Sequence, residues 1–255
     1  MRLRLDGGAW RSAFLRRPAE ERVPVDQVHE AVAGNRYPGR GVLWARTLGG
    51  ALCGGYFLTG RSAASKARVL RRGDRELIVA PTGELAHDPL RHYVAARERD
   101  GWLVFGNGEQ VAVVSDLLLE GRTPTEAMAD LGYEPDPPIF TPRITVVADL
   151  RLGQDAWFGA ARRSAGGRPS ADVLTLAVRG LGPGDAVLMT TYRSDGDHVA
   201  TGEPFLEART EAADQSEFLE ELWDALAPEF RVAVAVFEPG RLADAAIRHA
   251  VDAQV

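Results

Sequence analysis

The stretch "TPRITVVADL", residues 141–150, decides how this chain is put together. Its apolar centre reads as a buried β-strand, with Pro142 and Arg143 at the strand mouth. Just upstream runs "YEPDPPIF", 133–140, where Glu134 and Asp136 alternate with Pro135, Pro137 and Pro138. Downstream of the strand come "AWFGAA", "DVLTLAV", "DAVLMTTY" and, later, "RVAVAVF", all strand candidates. Upstream, "GVLWAR" and "ALCGGYFLT" flank "TLGG", a hairpin turn. "ARVLR", "ELIVA" and "WLVF" are further short strands. Two helices are expected mid-chain. "HDPLRHYVAARER" has Asp88 as cap and Pro89 at the first helical position. In "TPTEAMADLG", Thr123 caps, Pro124 starts, Glu126 closes a capping box and Gly132 stops the helix. Near the end, "DQSEFLEELWDAL" carries Phe218, Leu219, Leu222, Trp223 and Leu226 on one helical face, and "GRLADAAIRHAV" is expected as a closing helix. Strands, then helices, then strands, then helices lack βαβ alternation. That order predicts an α+β fold of mostly antiparallel sheets.

The 255 residues suffice for a substantial core. Residues 1–35 read as an N-terminal extension and 36–255 as the functional domain. In the extension, Val25, Val28 and Val32 recur at helical spacing and Gly34 ends the helix. A net charge of −6 gives no field for nucleic acid. The single cysteine, Cys53, cannot form an internal disulfide and suits a reducing compartment. No apolar run reaches membrane-spanning length, and "MRLRLDGGAW" has no secretory apolar core, so the expected setting is the cytoplasm, without membrane partner. Sheet edges in such a fold admit a homo-oligomer.

Several kinds of chemistry find no support. The histidines, His29, His87, His92, His198 and His249, form no metal-ligand spacing, and there is no cysteine pair. No phosphate-loop signature and no G-x-S-x-G elbow is present. Cys53 lies in an apolar strand, where an inert thiol is the ordinary outcome. No metal and no organic cofactor is expected. What remains is a series of polar strand ends and loops. "YPGRG", 37–41, is a turn with an arginine. "TGRSAASKAR", 59–68, sets Arg61, Lys66 and Arg68 beside Ser62 and Ser65, a group suited to a phosphate. Tyr93 follows in "DPLRHY", sharing a face with Leu90 and Val94. "GNGEQ", 106–110, has the look of a hairpin turn. "YEPDPPIFTPRI" and "TTYRSDGD", 190–197, complete the series.

Taken in order, "YPGR", "GRSAASKAR", "DPLRHY", "GNGEQ", "YEPDPPIFTPRI" and "TTY" resemble the archaeal-type IMP cyclohydrolase family from about residue 36 onward. The acidic tyrosine loop running into T-P-R-I is the most specific element. The resemblance implies the fold of the N-terminal-nucleophile hydrolases, a four-layer α-β-β-α sandwich, here without a self-processing nucleophile. It implies closure of the purine ring: the carboxamide nitrogen of formamidoimidazole carboxamide ribotide (FAICAR) attacks its own formyl carbon, and water leaves, giving IMP. Carried over by position, Glu134 is the catalytic carboxylate and Tyr93 a helix-borne catalytic tyrosine. Lys66 stands at or near the family's catalytic arginine, with Arg68 as the other choice. Arg61, Ser62, Arg68, Asn107, Arg143, Thr191 and Tyr192 line the nucleotide site. Arg143 either fixes the acidic loop, reaches the substrate or pairs with Asp136 at the surface. The chain departs from the pattern in its N-terminal extension, in the spacing around Lys66, and at Glu109, where some relatives have a small hydroxyl residue. Those departures leave room for a homologue turned to another small-molecule cyclisation, or for a non-catalytic purine-nucleotide binder.

Overall fold

The structure, a computed structural model, describes residues 25–83, 88–151, 155–164, 168–196, 199–200 and 205–250. His87 and His198 lie outside them. Helix α1 (Val28–Ala33) precedes the hairpin β1 (Arg40–Arg46) and β2 (Leu52–Thr59). After one helical turn, α2 (Ala63–Lys66), come β3 (Arg68–Arg72), β4 (Glu76–Pro81), β5 (Tyr93–Arg99) and β6 (Trp102–Gly106). Helices α3 (Gln110–Leu119) and α4 (Pro124–Met128) follow, then β7 (Arg143–Asp149), β8 (Ala156–Arg163), β9 (Ala171–Val178) and β10 (Asp185–Thr190). A small ribbon, β11 (Arg193–Ser194) and β12 (Val199–Ala200), leads to β13 (Phe205–Arg209). Helix α5 (Gln215–Ala225), β14 (Arg231–Phe237) and β15 (Ala246–His249) end the described chain.

The strands form two large sheets. One has the order β13-β10-β1-β2-β14-β15, the other β3-β4-β5-β6-β7-β8-β9. Every strand pair within them is antiparallel, as the sequence order predicts. Between the sheets lies an apolar cluster that includes Trp44, Tyr56, Leu77, Phe105, Phe158 and Phe237. A second cluster joins α1 and α5 to the outer side of the first sheet through Val28, Phe57, Phe218 and Trp223. A third joins α3 and α4 to the second sheet through Val104, Val111, Met128 and Val147. Each large apolar side chain so buried is worth about 1.5–3 kcal/mol, before the entropy of ordering it. No helix among the described residues is long and apolar enough to cross a membrane.

The β1–β2 hairpin closes over Thr47–Ala51 as the "TLGG" signal requires. Gly50 has φ 91° and its N–H reaches the Thr47 carbonyl at 2.9 Å. Thr123 and Glu126 make the expected capping box, although α4 ends at Met128, before Gly132. Three elements correct the sequence expectations. "HDPLRHYVAARER" is not a helix. Asp88 caps a single turn through Leu90 N–H at 3.0 Å, and the chain then extends as β5. Strands β4 and β6 pair with it on either side, across one bulge, and Tyr93, Ala95 and Ala96 are buried between the sheets, which overrides the helix propensity of the Ala/Arg tract. "GRLADAAIRHAV" is likewise one 3₁₀ turn at Leu242–Asp244 followed by β15, because β14 offers an unpaired edge and Leu242 and Ala245 plug the core between the sheets. Conversely, α3 follows directly from "GNGEQ", which is no hairpin. Its N-cap, Glu109, forms no capping side-chain bond, so the usual start signal is missing. Val111, Val114, Ser115 and Leu118 nevertheless fall on one buried stripe.

Candidate functional site

The antiparallel register brings the starts of β1, β3, β5 and β7 to the same end of the sandwich as the ends of β2, β6 and β10. Arg40 stands opposite Leu58, Gly41 opposite Thr190, and Gly106 opposite Thr145. Most of the residues singled out from sequence lie at this end, in two tiers.

The inner tier is buried and centres on an ion pair between Glu134 and Arg40. The Arg40 guanidinium and Asn107 Nδ2, at 2.9 Å, both donate to Glu134 Oε1. No described residue donates to Oε2. Asn107 uses its whole bonding capacity: Nδ2 also donates to the Pro142 carbonyl at 2.9 Å, and Oδ1 accepts from Ile144 N–H at 2.7 Å and Gln110 Nε2 at 3.0 Å. The side chain therefore grips the Glu134 oxygen on one side and the entry to β7 on the other. The backbone of Glu134 is tied to the far limb of its loop, N–H to the Thr141 carbonyl at 2.8 Å. Burial pushes the Glu134 carboxyl above the ordinary glutamate value, although the Arg40 charge pulls it back. Burial works against the Arg40 charge as well, but Glu134, with Tyr93 and Tyr192, more than restores it.

Arg40 owes its position to the turn before it. Gly39 has φ 74°, and a Cβ there would lie 2.2 Å from Thr191 Oγ1 and 2.5 Å from the Tyr192 ring. Thr191 Oγ1 accepts from Arg40 N–H at 3.0 Å and donates to the Pro38 carbonyl at 3.2 Å, so this buried hydroxyl fastens the arginine turn. Tyr192 stacks on Tyr37 at 5.8 Å between ring centres. Its hydroxyl lies 2.6 Å from Thr141 Oγ1, which donates to Asp136 Oδ2 at 2.5 Å. Asp136 is thereby spent inside its own loop. Arg143 forms no ion pair with it; the Arg143 Nε is buried without a partner among the described residues.

Tyr93 opens β5, buried, with its hydroxyl 2.7 Å from that of Tyr56 on the facing sheet. Arg68, at the start of β3, is also buried, and donates only to carbonyls, Ser65 at 2.7 Å and Thr59 at 3.0 Å. Burial lowers its guanidinium from the ordinary value, with Tyr93 raising it and Arg40 lowering it further.

The outer tier is exposed. Arg61 lies over the Tyr37 ring at 4.7 Å, Ser62 caps α2 by accepting from Ser65 N–H at 3.1 Å, and Lys66 ends α2 in solvent. The structure thus brings Glu134, Tyr93, Arg68, Asn107, Arg143, Thr191 and Tyr192 to one buried end and leaves Arg61, Ser62 and Lys66 on its rim. Sequence reasoning did not name Arg40 or Tyr56. Arg40 was on view in "YPGR" but read as a turn residue. Tyr56 sits in an apolar strand with no local mark.

The sequence profile of the family described as IMP cyclohydrolase-like protein matches residues 37–239, well over half of the chain. The chain belongs to that family. It is also similar to an IMP cyclohydrolase of Methanopyrus kandleri, 29% identical over 127 residues. That match covers 48% of this chain and 62% of the relative's length, less than two thirds of it. The matched segment of the family contains the whole inner tier, from Tyr37 to Tyr192.

Proposed function

We propose that this protein closes the second ring of a purine, converting FAICAR to IMP with loss of water, on a four-layer α-β-β-α scaffold of the N-terminal-nucleophile hydrolase type. Membership in the IMP cyclohydrolase-like family supports the reaction class, and the three apolar clusters, one between the sheets and one under each helix pair, support the layering. The observation that carries the mechanism is the asymmetry of Glu134: one oxygen is held by Arg40 and Asn107, and no described residue occupies the other.

The chemistry needs a weak nucleophile, the carboxamide nitrogen, held against the formyl carbon. In the addition step, Glu134 Oε2 takes a proton from that nitrogen as the N–C bond forms, and Tyr93 gives a proton to the formyl oxygen. In the elimination step Glu134 gives its proton to the hydroxyl as the C–O bond breaks, and the formamide N–H proton passes to the Tyr93 phenolate. Both residues are thereby restored, and the net loss is one water: the formyl oxygen and, in balance, one hydrogen from each nitrogen. A raised carboxyl suits Glu134 to this exchange, because it is a stronger base toward the weakly acidic carboxamide nitrogen than an ordinary carboxylate. Of the two cations considered for the family's arginine position, Arg68 is the better placed, buried beside Tyr93, while Lys66 with Arg61 and Ser62 forms a rim suited to the ribose phosphate.

The test is mass-resolved conversion of freshly prepared FAICAR beside a no-enzyme blank, with Glu134→Gln in parallel. Loss of one water by the wild type, slowed at least about 10²-fold in the variant, is expected. A folded wild type no faster than the blank refutes the proposal. Thermal stabilisation by IMP in such a protein would mark a nucleotide binder without turnover.

A further inference from the structure

The hydroxyls of Tyr56 and Tyr93 meet at 2.7 Å across the space between the sheets. Tyr56 is wholly buried, on β2, and Tyr93 is the only described group bonded to its hydroxyl. Tyr93, at the first residue of β5, is 6% exposed and lies at the site end of the sandwich. Two proton arrangements are available. If Tyr93 donated, the Tyr56 proton would be buried with no acceptor, an expensive state. If Tyr56 donates, its proton is satisfied and the Tyr93 proton is free to turn to whatever occupies the cleft. Burial also pushes the Tyr56 phenol well above its ordinary value, so it keeps its proton through the working range. The buried Arg68 charge, which no carboxylate among the described residues neutralises, acts on the same two oxygens.

We propose that Tyr56 is a positioning residue: its hydroxyl donates to Tyr93, aims the Tyr93 proton at the substrate oxygen, and holds the phenolate left when that proton is given up. The proposal rests on the ring closure described above. The proton leaves Tyr93 Oη for the formyl oxygen, and the charge remaining on Tyr93 meets the Tyr56 O–H and Arg68. Tyr56 itself touches no substrate atom and exchanges no proton.

A double-mutant cycle tests it. Tyr56→Phe keeps the ring and removes one oxygen. With FAICAR, its kcat is expected to fall on the order of ten- to a hundredfold, the range for a lost hydrogen bond to a charged group, with KM unchanged. In a Tyr93→Phe background the same substitution is expected to cost nothing further. Unchanged turnover in Tyr56→Phe, or the same loss in both backgrounds, overturns the proposal, since a packing role would act whether or not Tyr93 has its hydroxyl. If the wild type does not turn over FAICAR, the ring closure falls by itself. Thermal unfolding of the same four proteins then judges the pair. Coupled losses, with the double variant no less stable than Tyr93→Phe alone, uphold the bond from Tyr56, and additive losses overturn it.

Discussion

The two ends of the sheet sandwich are built from the same strands and pair their charges over very different distances along the chain. β1 begins at Arg40 and ends at Arg46; β7 begins at Arg143 and ends at Asp149. At the far end, Arg46 donates to the Gly50 carbonyl of its own hairpin at 2.8 Å. Asp149 accepts from Arg151, two residues away, whose side chain is 58% exposed. These partners are local in sequence, and the Arg151 end of its pair is open to water, so ordering them costs little entropy. At the site end, Arg40 reaches across 94 residues to Glu134, and both are buried. A pair of that kind loses its hydration and repays it only with good geometry. At the far end the named partners are close in sequence, although Asp149 is itself buried.

The contrast can be broken most directly at Arg40. Arg40→Ala strands a buried carboxylate among groups arranged for its partner, and we expect a loss of about 3–5 kcal/mol in stability together with activity, read by denaturant unfolding. Replacement without such a loss would mean the pair is not buried as a pair.

A second measurement sharpens the contrast through pH. Because burial raises the Glu134 carboxyl, the folded protein holds that proton more tightly than the unfolded chain does. Stability from this group is therefore present below the ordinary glutamate range, about 4.3, and declines as pH rises through the higher folded value. Activity runs the other way, since the base must be ionised: its acid limb is expected above the ordinary glutamate range. Glu134→Gln should remove that pH dependence of stability, read by urea titrations across the range. An acid limb at or below the ordinary value would contradict the burial argument.

The smallest effect on turnover is expected at the far end. Asp149→Asn, buried at the opposite end of β7 from the site, leaves turnover within about twofold of wild type, as for a change at a distant, independent position, even where it costs stability. A larger change would couple the two ends and end the comparison.

Most strands, the antiparallel pairing and three of the helices were legible, because alternation, glycine turns and capping residues act locally. Tyr93 shows the limit. Asp88 and Pro89 do begin a turn, but whether the next residues continue as helix or strand is decided by β4 and β6, which the local sequence does not contain. Helix α3 shows the converse: its apolar stripe was present, yet Glu109 gives no side-chain cap to announce it. Within the site, the residues that carry their own chemical label, Glu134, Arg68 and Asn107, could be picked out. Arg40 and Tyr56 could not, because what distinguishes them is a partner far along the chain, Glu134 for one and Tyr93 for the other. Asn107 could be named but not given its task, which becomes visible only when its four bonds are counted.

The order of the second sheet has a consequence for how the molecule is made. Its seven strands, β3 to β9, lie side by side in the order in which the chain supplies them, so each can pair with the one before it as it arrives. The first sheet must instead wait, since β1 pairs with β10, and Ala45 faces Ala186 only after that whole block has been passed. Loop closure over such a distance is slow, and neighbouring hairpins are quick. On this topology the second sheet is expected to form first, as a unit of neighbouring hairpins, with the first sheet completed around it. Tyr93, Asn107 and Arg143 come from the early unit, and Arg40, Tyr56 and Thr191 from the late one. The bonds from Arg40 to Glu134 and from Tyr56 to Tyr93 are then expected among the last to form, and pulse-labelled amide exchange would show the β1–β10 amides protected later than those of β3 to β9. A chain halted midway would then hold Tyr93 and Asn107 without Arg40 and Tyr56 set against them.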